Sequence, residues 1–149
     1  MANVNSGFLG TRANWAADLN LIAQIILLLV LVAGRVQAKR RQLNTHHTWM
    51  TAVVAVNAVL VIAIMNPELF RLLPSIWGNL DVPERVMPLP HALVGALAEL
   101  MGLYAVLWIR MDLPESMRPR SVKWFMRITF LLWALALVGG IALYWVWYV

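Results

Sequence analysis

Four stretches of the chain, residues 18–35, 47–66, 89–110 and 124–148, are mostly apolar. Each approaches or exceeds the ~20 residues that cross a bilayer core of roughly 30 Å. In hydrocarbon a backbone N–H or C=O has no water to bond, so an apolar run of this kind must satisfy its own groups as a helix. Composition agrees: 62% of the 149 residues are hydrophobic and 13% charged, about half the charged share of a soluble domain. The expected fold is all-α, a single integral membrane domain over residues 1–149, built as an antiparallel four-helix bundle.

The stretch Leu89–Arg110, LPHALVGALAELMGLYAVLWIR, is the packing centre of that bundle. Pro90 suits a first helical turn, where its missing N–H has no partner to lose. Ala92, Gly95, Ala98, Gly102 and Ala105 recur every three or four residues and form one small-residue stripe. Such stripes let helix backbones approach closely in lipid, so Gly95, Ala98 and Gly102 are helix-packing positions. Asp18 is the expected N-cap of the first span. Asn66-Pro67-Glu68 is expected to end the second span and start a short interfacial helix in an outer loop, residues 67–88, with Pro74, Gly78, Pro83, Pro88 and Pro90 breaking anything longer. Residues 1–17, with Asn3, Asn5, Ser6, Gly7 and Gly10, form a polar tail. It lacks the basic start and cleavage pattern of a signal peptide, so Met1 onward is expected to be retained.

Charge placement sets the orientation. The loops after spans one and three carry Arg35, Lys39, Arg40 and Arg41, then Arg110, Arg118, Arg120, Lys123 and Arg127, nine of the twelve basic residues. Positive-inside reasoning puts these loops in the cytoplasm and both termini outside. This is the pattern of a multi-pass protein of the cell's inner (cytoplasmic) membrane. Trp49, Trp108 and Trp124 fall at one interface, Trp15, Trp77, Trp145 and Trp147 at the other, and Trp133 mid-membrane. The net charge of +5 thus reads as topology and lipid contact, not nucleic-acid binding. The basic cluster itself mainly sets topology, with anionic lipid or an acidic partner as the lesser reading.

Few residues are equipped for chemistry. There is no cysteine, no paired carboxylate set, no nucleotide loop, no HExxH pattern and no Ser-His-Asp set. Histidine comes first, because membrane histidines ligate haem or copper. His46 and His47 start span two and His91 starts span three, so most of the roughly 25–30 Å of bilayer separates them and they cannot ligate one haem together. His91 has Met65 and Met87 at its depth, and thioether and imidazole both suit copper. The leading expectation is nevertheless no cofactor, with His91 bonded to loop backbone and His46 and His47 at headgroups. A haem b or copper site at His91, with Met65 or Met87, is the alternative. Glu99 is the one acid deep in a span and a functional candidate by position. Asn57 and Gln24 lie at similar depth. A hydrogen-bonded link between helices is the leading reading, and a step in proton movement the alternative.

Three segments carry a family resemblance: KRRQLNTHHTWMTAVVAVNAVL, LPHALVGALAELMGLY and RITFLLWALALVGGIALYWVW. Over roughly residues 18–148 the chain resembles the small four-helix membrane proteins of the family called domain of unknown function 420. The resemblance implies a link to maturation of haem-copper terminal oxidases. The family pattern also has a histidine near the outer end of span two and one before the last span. Here those places hold Asn66 and basic residues such as Arg120 or Lys123, so only His46 or His47 and His91 carry over.

Three functions follow, in order. The first is a non-catalytic accessory subunit or assembly factor of a larger respiratory or photosynthetic electron-transport complex. The second is a small redox protein holding haem or copper near His91. The third is a proton- or ion-conducting element using Glu99.

Overall fold

The computed structural model describes residues 7–111 and 113–149. Asn3, Asn5 and Ser6 of the expected polar tail lie outside the described residues. The elements are α1 (Trp15–Lys39), α2 (Leu43–Leu60), a π-helical segment (Val61–Met65), α3 (Asn66–Trp77), α4 (Pro83–Val86), α5 (Pro88–Arg110), a 3-10 turn (Glu115–Met117) and α6 (Val122–Tyr148). Among the described residues, four helical stretches are long and apolar enough to cross a membrane. Each packs on two others, in the cyclic order α1, α2, α5, α6.

The core is small. Leu27 and Leu31 of α1, Val53 and Val54 of α2, Ala98 of α5, and Trp133 and Leu137 of α6 form one buried cluster. Leu29, Val59, Leu100 and Leu131 are each more than 60% exposed. Large apolar side chains facing outward from all four long helices make a surface far beyond the few-hundred-Å² patches of soluble proteins; its proper solvent is lipid.

Small residues set the packing distances. At Gly34 the Met50 side chain fills the space a Cβ would take, which brings α2 onto α1. At Gly102 a Cβ would stand 3.0 Å from Val54 Cγ2 and 3.2 Å from Trp133 Nε1. That opening lets the Trp133 indole N–H donate to the Ala98 carbonyl at 2.6 Å, one turn earlier on α5. A side chain at Gly102 would shield that carbonyl, so the glycine and the tryptophan are one device. The stripe is not uniform, however. Ala98, Gly102 and Ala105 are buried, whereas a Cβ at Gly95 would meet nothing within 4 Å.

The ends depart from the sequence expectations. The N-cap of α1 is Asn14, whose side chain accepts from Ala17 N at 2.8 Å. Asp18 lies inside the helix and is fully buried. Span two does not stop at Asn66: residues Leu43–Trp77 form one continuous helical run of 35 residues, about 52 Å at 1.5 Å per residue, well beyond a bilayer core. Asn66 is helical rather than a cap, and Pro74 sits inside α3. The physical cost of Pro67 is absorbed just upstream. Proline crowds the carbonyl four residues earlier and lacks an N–H, and the ladder there widens so that Asn66 N bonds Val61 O, five residues back. Such single π turns are a known way to absorb a disruption of the α ladder. Pro88 and Pro90 open α5 rather than break it, since both stand in its first turn.

Both described ends of the chain meet at one end of the molecule, called the terminal end below. Arg12 N donates to Tyr148 O at 3.1 Å, satisfying a carbonyl that the end of α6 leaves open. Trp147 Nε1 donates to Glu84 O at 3.2 Å, tying α6 to α4. The opposite, basic end holds the turn between α1 and α2, where Arg41 adopts a left-handed φ of 58°, and the loop between α5 and α6, pinned by a hydrogen bond from the Tyr104 hydroxyl to Met117 O.

Candidate functional site

Three polar residues meet in the apolar interior. Gln24 on α1, Asn57 on α2 and Glu99 on α5 are all at least nine-tenths buried. Each faces inward with a buried residue one turn away: Leu27 for Gln24, Val53 for Asn57 and Gly102 for Glu99. Gln24 Nε2 donates to Asn57 Oδ1 at 3.2 Å, and Asn57 Nδ2 donates to Glu99 Oε2 at 2.9 Å. The chain of bonds therefore joins three helices. The other carboxyl oxygen, Glu99 Oε1, is buried without a hydrogen-bond partner.

A second polar cluster closes the terminal end. Asp18 Oδ2 accepts from Leu9 N at 2.8 Å, and Asp18 Oδ1 accepts from the Tyr144 hydroxyl at 2.5 Å. The Thr11 hydroxyl lies 2.7 Å from the same phenol oxygen. This binds the segment before α1 to α1 and α6. Sequence reasoning missed the cluster, taking Asp18 for a cap. The available signal was Asn14 standing three residues before Ala17, a good cap that leaves Asp18 surplus.

The histidines separate as the sequence implies, but their surroundings differ from expectation. His46 Nδ1 donates to the Gly34 carbonyl at 2.8 Å, so it ties α2 to α1 rather than reaching for headgroups. The His47 ring lies tilted against it, ring centroids 5.7 Å apart and planes 56° apart. His91 lies against the Gly139-Gly140 pair of α6. A Cβ at Gly139 would stand 3.3 Å from its Nδ1, and one at Gly140 would stand 3.2 Å from its Cε1. The double glycine thus makes a recess for the imidazole, whose Nδ1 is buried there without a hydrogen-bond partner; no loop backbone bond of the expected kind is made by that atom. Met65 closes the π segment and Met87 lies between α4 and α5. No group of three or more His, Cys, Asp or Glu able to hold a metal ion occurs among the described residues.

At the basic end the four long helices leave a groove of about 780 Å³. Leu31, Val53, Val54, Ala105 and Trp133 line its depth, and Arg35, Lys39, Lys123 and Arg127 also line it. Sequence reasoning did not find it. The sequence holds only its halves: Arg35 with Lys39 and Lys123 with Arg127 are i, i+4 pairs, a spacing that puts both members on one helix face.

Comparison with family models, with curated proteins and with solved structures found no match.

Proposed function

We propose that this chain is a non-catalytic subunit of a membrane assembly, acting as an accessory subunit or assembly factor of a larger respiratory or photosynthetic complex. In this reading it is an antiparallel bundle of the cytoplasmic membrane, with the basic loops inside and both termini outside. One observation carries it. The interior polar groups Gln24, Asn57 and Glu99 are used to link helices to one another, which is what a shape-fixing scaffold requires. The resemblance to the family called domain of unknown function 420 points the same way. The notch at Gly95, with open space where a side chain would stand, gives a partner helix room for close approach.

The test is co-migration. Protein extracted from its own membranes in a mild detergent should run on native gels within a much larger assembly. Gly95→Leu should release it while leaving the isolated protein folded. A chain that runs alone from native membranes, under conditions that preserve the respiratory complexes, overturns the reading.

A second reading rests on the unpartnered Nδ1 of His91: a haem or copper ion bound by His91 with Met65 or Met87 would supply electron transfer. Oxidised and dithionite-reduced spectra with metal analysis decide it. A haem band or stoichiometric copper that disappears in His91→Ala supports the redox role, and a colourless, metal-free protein removes it.

A further inference from the structure

The groove at the basic end combines two features, an apolar depth and a basic lining. Its walls come from α1, α2, α5 and α6 together, and its depth is apolar: Leu31, Val53, Val54, Ala105 and Trp133. Its volume of about 780 Å³ falls within the roughly 300–1,000 Å³ of small-molecule pockets. Gly102 and Ala105, both small, form part of the α5 wall.

Four cations line the same groove. Arg35 and Lys39 come from the last turns of α1, Lys123 and Arg127 from the first turns of α6. Like charges at i, i+4 repel by a few tenths of a kcal/mol per pair, and here two such pairs face one opening. Lys or Arg at a membrane helix end normally turns outward toward the interface. All four are exposed, and Arg35 lies over the Phe130 ring, 4.5 Å from its centroid, and Arg127 over Trp124 at 5.2 Å. The ion pairs found among the described residues, Arg71 with Glu68 and Arg118 with Glu115, involve none of the four. The groove therefore presents four cations, none in those ion pairs, beside an apolar floor.

We infer that this groove binds an anionic phospholipid, with its phosphate held by Arg35, Lys39, Lys123 and Arg127 and one acyl chain along the floor. Charge complementarity selects the head, and the apolar depth selects a molecule with a chain attached. At the end of four apolar spans a phospholipid offers hydrocarbon and phosphate in the same order as floor and mouth. A free phosphate would meet only exposed cations and leave the floor uncovered. The inference is independent of any partner complex and of His91.

Native mass spectrometry of the purified full-length protein tests it, with palmitoyl-oleoyl phosphatidylglycerol and the matching phosphatidylcholine as probes. One phosphatidylglycerol per chain should be retained in preference to phosphatidylcholine. Arg35→Gln/Lys39→Gln should weaken that binding about tenfold or more, as should Lys123→Gln/Arg127→Gln, since each basic residue contributes measurably to binding an anionic headgroup. Arg40→Gln/Arg41→Gln removes the same charge just beyond the end of α1, outside the groove, and should change binding by no more than about twofold, as screened surface charges do. Ala105→Leu, which fills the floor without touching charge, should also weaken it. The two groove pairs stand on different helices, so misfolding of one variant by circular dichroism leaves the other as the test. Equal retention of both lipids, equal loss in the Arg40/Arg41 control, or displacement of the lipid by inorganic phosphate alone overturns the proposal.

Discussion

At the scale of single residues, the interior polar chain and the glycines divide the helix contacts between them. Glu99→Ala would strip Asn57 Nδ2 of its acceptor and should cost about 1–2 kcal/mol, toward the upper end for bonds between membrane helices. Glu99→Gln keeps an acceptor oxygen and should stay within about 0.5 kcal/mol of the parent. Unfolding in mixed detergent–SDS micelles measures both. Equal losses would mean that the carboxyl group itself, not the hydrogen bond to Asn57, holds the helices. The two stripe glycines should behave oppositely. Gly102→Ala places a Cβ 3.0 Å from Val54 Cγ2 and 3.2 Å from Trp133 Nε1, overpacking that costs about 1–3 kcal/mol and disturbs the Trp133 environment in fluorescence. Gly95→Ala meets open space and should be neutral or stabilising by up to about 1 kcal/mol through helix propensity.

Elements are fixed where side chains reach across them. Asp18 holds Leu9 N and the Tyr144 hydroxyl at once. Asp18→Ala should therefore free the segment from Gly7 to Ala13, seen as faster amide exchange there, while α5 keeps its protection. Uniform loss of protection would show that the segment folds only with the whole bundle. The turn between α1 and α2 makes a separate case. Arg41 occupies a left-handed conformation that non-glycine residues adopt at a cost of roughly 1 kcal/mol. Arg41→Gly should raise stability by about 0.5–1 kcal/mol, because this position follows a helix C-cap, where glycine is favoured. The unfolding midpoint in SDS reads it.

For the whole molecule, orientation is the property that the proposed function depends on. The chain contains no cysteine, so single introduced thiols report topology without background. Gln42→Cys and Ser121→Cys, in the two basic loops, should be labelled by a membrane-impermeant maleimide only from the cytoplasmic face. Gly10→Cys should be labelled only from the other. Labelling of all three from one side would contradict the four-crossing arrangement.

Much of this was legible from the chain alone, for a physical reason. A span long enough for the bilayer must satisfy its own backbone bonds, so apolar length by itself dictates four helices. The pairing of Glu99 with Asn57 and Gln24 was foreshadowed by depth, because a polar group in hydrocarbon has few other groups to find. Tertiary structure decided what one-dimensional pattern does not encode. Asp18 became a buried hub because the segment before α1 folds back onto Tyr144, 126 residues away. Span two continued past Pro67 because a π turn absorbed the proline. Gly95 and Gly102 share one stripe in the sequence, yet only Gly102 faces Val54 and Trp133. The groove appeared only when the ends of α1 and α6 came together, since two basic pairs far apart in the chain carry no sign of one another until packing places them around the same space.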